Sequence, residues 1–143
     1  MELRQNGIKT ELALTGFMKL DNFFKKSKNN TDLMKKEFNL DETKKTIMFA
    51  PTFYPSSFQL LGKKLGEYTK DYNLIIKPHM WTMYKSNFGG ISHKKQRLLF
   101  YELSDEFDHV HLVPPEVYNI SQLYSISDML ITDASSTIYE MMA

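Results

Sequence analysis

The chain contains no cysteine, which excludes disulfide bonds, a thiolate nucleophile and cysteine-based zinc sites. It also has little excess charge of either sign, because 18 Lys+Arg nearly balance 17 Asp+Glu and leave a formal net charge of +1. Proteins that bind duplex DNA usually carry a strong basic excess, so we expect no nucleic acid partner. The length of 143 residues suits about one domain with a core of its own.

Long apolar runs and the common cofactor motifs are also missing. No run approaches the roughly 20 apolar residues that cross a bilayer, and the first residues show no apolar signal-peptide core. We therefore expect a cytoplasmic location. Phosphate loops of the GxxxxGK[ST] type, GxGxxG turns and HExxH pairs are absent from the sequence. We expect neither a cofactor nor a metal site.

What the sequence does contain is an alternation of two apolar periods. Short apolar runs predict strands at Thr46–Ala50, Asn73–Lys77, His109–Val113 and Met129–Thr132. Each run is apolar at consecutive positions, which is typical of a strand buried on both faces. Segments of helical spacing predict helices at Ser57–Lys70, Ser92–Leu103, Ile120–Ile126 and Ser135–Met142. The alternation predicts an α/β fold, a Rossmann-like parallel sheet with flanking helices.

Residues 1–45 are less regular and form a segment that leads into the Rossmann-like domain of residues 46–143. Here the sequence predicts a strand at Glu11–Thr15, helices at Met18–Lys26 and Asp32–Asn39, a turn at Ser27–Thr31 and an N-cap at Thr31 or Asp32. A basic stretch overlaps these helices, with Lys25, Lys26, Lys28, Lys35 and Lys36 beside Phe23 and Phe24. It is typical of a solvated helix face, and it leaves open a peripheral contact with the inner face of the cell membrane.

Small and hydroxyl-bearing residues follow the last predicted strand, in the stretch MLITDASSTIYE. The strand ends at Thr132 and Asp133, and Ser135, Ser136 and Thr137 open the next helix. Loops after parallel strands face the ligand crevice, and the free N–H groups of a helix start suit phosphate. These residues are therefore candidates for phosphate binding. Plain N-capping by Asp133 or Ser135 is the alternative.

Two further strands end in loops of similar character. His79 follows Lys77 and Pro78 and could act as a general acid or base or bind phosphate, unless it is a solvent-exposed loop residue. Thr52 lies in the loop FAPTFYPSS after the first strong strand. Glu140, one helical turn beyond Ser136, could accept ribose hydroxyls or be an ordinary surface residue.

Three stretches, KTIMFAPTF, LIIKPH and LYSISDMLITDASSTIYE, together resemble the C-terminal nucleotide-binding domain of the CDP-glycerol glycerophosphotransferases of teichoic acid synthesis. The stretch LTGFMKLDNFF resembles the first segment of that domain, so the resemblance runs from about Leu14 to the C-terminus. It implies one half of a two-domain GT-B fold. The implied reaction moves glycerol phosphate from CDP-glycerol to a polyol-phosphate acceptor and releases CMP.

The resemblance also implies roles for single residues. The family's hydroxyl cluster binds the donor pyrophosphate, and it matches Thr132, Asp133, Ser135 and Ser136. His79 matches a histidine that acts near the transferred phosphate, and Thr52 matches a threonine close to the phosphates. Glu140 falls where the family has an acidic residue suited to ribose.

Several departures leave other interpretations open. Ala134 stands where the family often has tyrosine, and Met80 where it often has proline. A GT-B enzyme using another nucleotide-activated donor and a non-catalytic α/β binding module are therefore alternatives. The WHG-type motif of the family's N-terminal domain is absent, and the chain stops within an apolar helix. We expect a domain truncated at its C-terminus, an acceptor site on a missing N-terminal domain, and little turnover by this chain alone.

Overall fold

A computed structural model describes residues 28–142 apart from 54, 85–89 and 118, together with the single residues 7, 13, 16, 18 and 21. Strands alternate with helices, as the apolar periods predict. The described elements are α1 (Lys28–Glu37), β1 (Thr46–Ala50), α2 (Phe58–Leu61), α3 (Lys64–Tyr68), β2 (Asn73–Ile76), α4 (Met80–Met83), α5 (Gly90–Glu106), β3 (Val110–Leu112), α6 (Ser121–Tyr124), β4 (Met129–Thr132) and α7 (Thr137–Met142). The predicted strand Glu11–Thr15 and helix Met18–Lys26 lie almost wholly outside the described residues.

In the described part of the chain, four parallel strands form one sheet in the order β3-β2-β1-β4. In β1, Met48 pairs with Ile75 of β2 on one side and with Leu130 of β4 on the other. β1 and β4 begin and end as predicted, and β2 and β3 are shorter by one and two residues. The parallel sheet with flanking helices confirms the predicted α/β fold class.

Burial of the strands follows their place in the sheet. β1 and β2 are buried along their whole length, as consecutive apolar residues predict. β3 and β4 lie at the two edges, and both are partly exposed. For these two strands the expected burial on both faces is wrong: within the described residues each pairs with one strand, and Met129 in β4 is 53% exposed.

The buried side chains pack on both faces of the sheet. On one face, Met48 and Ile75 contact the side of α6 through Leu123. On the other, Phe49 packs with Phe58 of α2 and Phe100 of α5. The rings of Phe58 and Phe100 stack with centroids 4.0 Å apart. Full burial of a side chain of this size contributes about 1.5–3 kcal/mol, so these helices are held chiefly by their apolar faces.

Three local predictions are wrong. The helix predicted over Ser57–Lys70 is two short helices, because Gly62 takes a φ of +50° and ends α2. The predicted turn Ser27–Thr31 and the N-cap at Thr31 or Asp32 fail as well, since α1 begins at Lys28. Met34 and Phe38 pack against the sheet there, and tertiary packing of this kind overrides weak local helix propensity. The short helix α4 is not predicted by the sequence.

The order of the strands brings the candidate loops together. The loops after β2, β1 and β4 carry the candidate residues, and these strands are neighbours in the sheet. Parallel strands end at the same edge of a sheet, so the three loops are adjacent.

Candidate functional site

A cavity of about 260 Å³ opens where these three loops meet. The predicted site residues that line it are Thr52, His79, Ser135, Ser136, Thr137 and Glu140. Lys77, to which the sequence assigns no role, lines it as well. The predicted crevice at the carboxyl ends of the strands is therefore present, with hydroxyl groups, an imidazole, an ammonium group and a carboxylate around it.

His79 is oriented by the backbone of α4. It is the N-cap of that helix, and its Nδ1 accepts a hydrogen bond from the N–H of Trp81 at 3.2 Å. Burial, and then the charge of Lys77, lower the pKa of His79 below its usual 6.5. The ring is therefore neutral near pH 7. Since Nδ1 accepts, the proton lies on Nε2, which is free to act as a donor.

Two aromatic side chains, Phe53 and Trp81, lie beside the His79 ring. The ring of Phe53 lies 5.2 Å from that of His79 and 5.0 Å from that of Trp81, measured between centroids. Trp81 and His79 are 5.5 Å apart in an edge-on arrangement. Trp81 is half exposed and is the single tryptophan of the chain. Its fluorescence therefore reports directly on this site.

Glu140 is a buried carboxylate, and the alternative of an ordinary surface residue does not hold. It is 4% exposed, and its two oxygens accept hydrogen bonds from different elements. The hydroxyl of Tyr124 donates to Oε2 at 3.0 Å, and the hydroxyl of Ser136 donates to Oε1 at 3.1 Å. Burial and this carboxylate raise the pKa of Tyr124 well above its usual value. The carboxylate is thus held in one orientation at the cavity wall.

Thr132 and Asp133 do not line the cavity; they tie its loops to one another. The carboxylate of Asp133 accepts hydrogen bonds from the N–H of Thr52 at 2.9 Å and from that of Ser57 at 3.0 Å. The hydroxyl of Thr132 donates to the carbonyl of Ala50 at 2.6 Å. These bonds join the loop after β4 to the loop after β1.

The hydroxyl cluster at the start of α7 is joined by weaker bonds. Ser135 Oγ accepts from the N–H of Thr137 at 3.4 Å, which is long for a cap. The hydroxyls of Thr137 and Thr132 lie 3.1 Å apart. Ser135 and Thr137, whose side chains make these local bonds, both line the cavity.

Sequence reasoning missed two residues of the site. Lys77 continues the alternation of β2, which places it on the same face as the buried Ile75. A charged residue at such a position is the signal that could have identified it. Tyr124 lay within a predicted helix, and nothing in its sequence context indicates that its hydroxyl meets Glu140.

The described residues contain no group of three or more His, Asp or Glu side chains that could hold a metal ion. Among the helices described, none is long and apolar enough to cross a membrane.

Comparison with known proteins identifies the family. The family described as CDP-Glycerol:Poly(glycerophosphate) glycerophosphotransferase matches residues 4–143. A curated relative, the teichoic acid poly(glycerol phosphate) polymerase of Bacillus spizizenii strain W23, is 28% identical over 138 residues, covering 88% of this chain and 31% of the relative.

Solved structures agree with the sequence comparison. A variant of the wall teichoic acid polymerase TagF soaked with CDPG is 27% identical, with a TM-score of 0.57 over 88% of this chain and 28% of that one. Another TagF structure is 25% identical, with a TM-score of 0.55 over 90% of this chain and 31% of that one. The chain thus spans about a third or less of the length of these relatives. It belongs to the CDP-Glycerol:Poly(glycerophosphate) glycerophosphotransferase family.

Proposed function

We propose that this chain forms the donor-nucleotide site of a CDP-glycerol glycerophosphotransferase. The whole enzyme transfers glycerol phosphate from CDP-glycerol to a polyol-phosphate, teichoic acid-like acceptor and releases CMP. The observation that carries the proposal is the meeting of residues from three sequence-distant loops, Thr52, His79 and Ser135–Glu140, around one cavity. Membership of the family and the likeness to TagF support it.

The lining suits a nucleoside diphosphate. Hydroxyls of Thr52, Ser135 and Thr137 donate hydrogen bonds to phosphate oxygens, which accept them. Other residues of the cluster have a positioning role. Ser136 donates a hydrogen bond to Glu140, and Thr132 donates one to the carbonyl of Ala50. Asp133 accepts a hydrogen bond from the amide of Thr52 and so fixes the neighbouring loop. The carboxylate of Glu140 accepts hydrogen bonds from ribose hydroxyls. A cavity of about 260 Å³ is at the small end of ligand sites, so part of the donor extends beyond it.

The proposed chemistry is an in-line attack of an acceptor hydroxyl on the β-phosphorus of the donor. The P–O bond to CMP breaks, the glycerol phosphate passes to the attacking oxygen, and the hydroxyl proton passes to a base on the other half of the enzyme. Positioned donors stabilise the charge on the phosphate oxygens, which is the main contribution that proteins make to phosphoryl transfer. His79 lines this wall of the cavity, and its neutral Nε2–H donates a hydrogen bond to a phosphate oxygen of the leaving CMP.

We also propose that this domain is one half of a GT-B fold. The acceptor then binds to the other half, which carries the remaining catalytic groups. On this proposal the chain binds the donor weakly and has little or no turnover by itself.

A titration with matched variants tests the nucleotide site. CDP-glycerol, CMP and UDP-glucose are titrated into the chain by calorimetry, with Trp81 fluorescence as a second readout. We expect Ser135→Ala/Ser136→Ala and His79→Ala to weaken CDP-glycerol binding at least tenfold. The matched control is Ser104→Ala/Ser125→Ala, which removes two hydroxyls that donate only to backbone carbonyls elsewhere.

The outcomes separate the alternatives. Equal affinity of the wild type and the double variant for CDP-glycerol contradicts the role of the hydroxyl cluster. Tighter binding of UDP-glucose than of CDP-glycerol indicates a GT-B enzyme with another donor. A folded chain that binds none of the three nucleotides favours the non-catalytic binding module.

We propose in addition a peripheral contact of the whole enzyme with the inner face of the cell membrane. Lys36 and Leu33 of α1 are exposed, and Lys35 is half-buried; Phe23–Lys26 lie outside the described residues. Exposed basic and apolar groups together bind anionic bilayers. Co-sedimentation with phosphatidylglycerol vesicles should decrease in Lys35→Glu/Lys36→Glu. Unchanged co-sedimentation contradicts the contact.

A further inference from the structure

Lys77 is a buried lysine that lines the cavity and has no role in the site as described so far. It follows β2 and is 8% exposed, although it carries a positive charge in its ordinary state. Strand alternation places it on the face of Ile75, toward the cavity wall that it shares with His79 and Glu140. Its four-carbon stem is therefore packed, and the residue lines the proposed donor site.

Lys77 has no counter-ion in the described part of the chain. No carboxylate oxygen of a described residue lies within 4.0 Å of its Nζ. Its hydrogen bond is a long one of 3.4 Å, donated to the carbonyl of Pro78. The more exposed Lys45 and Lys63 have carboxylates at 2.7 and 2.6 Å. The arrangement is the reverse of the usual one, in which buried cations are paired and exposed ones need not be.

The carboxylate of Glu140 does not take the place of that counter-ion. Its oxygens accept from Tyr124 and Ser136, and it is not within ion-pair distance of Lys77. Burial lowers the pKa of Lys77, as expected for an ammonium group without an anion beside it. An anion that enters the cavity supplies the missing partner.

We propose that Lys77 is a further ligand-binding residue of this cavity and that its ammonium group binds the phosphate groups of the donor. Phosphate fits better than a neutral ligand, because the hydroxyls of Thr52, Ser135 and Thr137 offer donors around the same space. A lysine binds phosphate as a compact point charge, without the planar geometry that arginine requires. This inference rests on the proposed function, since it identifies the bound anion with the donor diphosphate.

A titration of the full chain tests the inference. The ligands are inorganic pyrophosphate, cytidine and CDP-glycerol. Lys77→Met keeps the unbranched stem and removes the charge. We expect it to weaken pyrophosphate and CDP-glycerol binding at least tenfold, to leave cytidine binding unchanged, and not to lower the unfolding midpoint. The control is Lys44→Met, whose ammonium group likewise donates to one backbone carbonyl but is exposed, at the opposite end of β1.

A second measurement uses the wild type and does not depend on the folding of a variant. NMR of lysine labelled with ¹³C at Cε should show the titration of Lys77 moving to higher pH when pyrophosphate is added. Equal pyrophosphate affinity of wild type and Lys77→Met, or an unmoved Lys77 titration with the ligand bound, overturns the inference.

The two proposals fail in different ways. CDP-glycerol binding that does not depend on Lys77 overturns this inference and leaves the proposed function standing. Pyrophosphate binding that requires Lys77, without tighter binding of CDP-glycerol, supports the anion site and contradicts the nucleotide function. A folded wild type that binds neither ligand contradicts both.

Discussion

The carboxylate of Asp133 accepts a hydrogen bond from the backbone N–H of Thr52 across 81 positions of sequence, at 2.9 Å. Its other oxygen accepts from the N–H of Ser57 at 3.0 Å, just before α2. One side chain therefore fixes the loop after β1 against the loop after β4. The shape of the cavity depends on this contact as much as on the groups that line it.

Replacing Asp133 with alanine leaves both amides without their partner. We expect the free energy of unfolding to fall by about 1–3 kcal/mol, the usual cost of leaving part-buried donors unpaired. Urea unfolding measures this loss, and nucleotide affinity should fall with it because the Thr52 loop is released. Asp105→Ala removes an exposed carboxylate from α5 and is the control. An Asp133→Ala chain as stable as this control would contradict the role of the contact.

The hydrogen bond between Tyr124 and Glu140 gives a second prediction. Tyr124→Phe keeps the ring and removes the donor to a buried carboxylate, so we expect a loss of about 1–3 kcal/mol in urea unfolding at pH 7. Tyr101→Phe, at a half-exposed tyrosine of α5, is the control and should change stability little. The same loss in both variants would assign the effect to tyrosine hydroxyls in general.

The hydrogen bond between Tyr124 and Glu140 should also affect the free energy of unfolding at alkaline pH. The pKa of Tyr124 is raised in the folded state above its ordinary value of 10.0, by burial and then by Glu140. Above pH 10 the unfolded chain therefore releases a proton that the folded chain retains, so stability falls as pH rises. This decline should be weaker in Tyr124→Phe when unfolding is followed from pH 9 upward. An identical decline in the wild type and the variant would show that other groups cause it.

His79 gives a prediction at acid pH. Its folded pKa lies below 6.5, so between that pKa and 6.5 the unfolded chain binds more protons than the folded one. The free energy of unfolding should therefore fall as pH decreases through this window, with no contribution from His79 above it. Urea unfolding from pH 7.5 down to pH 5 measures the decline, which His79→Asn should reduce.

The contribution of Lys77 to the lowered pKa of His79 can be tested by substitution. Lys77→Met removes a nearby positive charge and should raise the pKa of His79 toward 6.5 in an NMR titration. The pKa of His111 is lowered by burial and then by His109, so its titration should not move and serves as an internal control. A parallel movement of both histidines would point to a general change in the fold.

The close packing of Gly66 against Phe107 gives a prediction about the stability of the fold. A Cβ added there would lie 2.6 Å from the ring of Phe107, closer than side chains pack. Gly66→Ala should therefore cost about 1–3 kcal/mol in thermal or urea unfolding. Adding Phe107→Leu should recover part of the loss, because the smaller side chain leaves room for the methyl group. Strictly additive effects of the two substitutions would contradict the close packing.

The sequence by itself determined the α/β fold class and the position of the strands. β1 and β4 match the runs TIMFA and MLIT from end to end. For β1 the reason is burial on both faces, which requires consecutive apolar residues, whereas β4 is partly exposed. The family resemblance was available from the sequence as well. The order of the motifs predicted that three polar loops share one edge, and Thr52, His79 and Ser135–Glu140 do so.

Only the tertiary structure decided what each of these side chains does. Asp133 belongs to the motif MLITDASSTIYE, yet its oxygens accept hydrogen bonds from backbone amides far away in sequence. Charged side chains such as those of Glu140 and Lys77 are ordinarily exposed, yet both are buried. Glu140 accepts hydrogen bonds from two hydroxyl groups, whereas no carboxylate of a described residue pairs with Lys77. Apolar periodicity is a local property of the chain, whereas hydrogen-bond partners and desolvation depend on groups brought together from distant positions. For that reason the sequence located the loops of the candidate site, whereas the partners and burial of its residues followed from the fold.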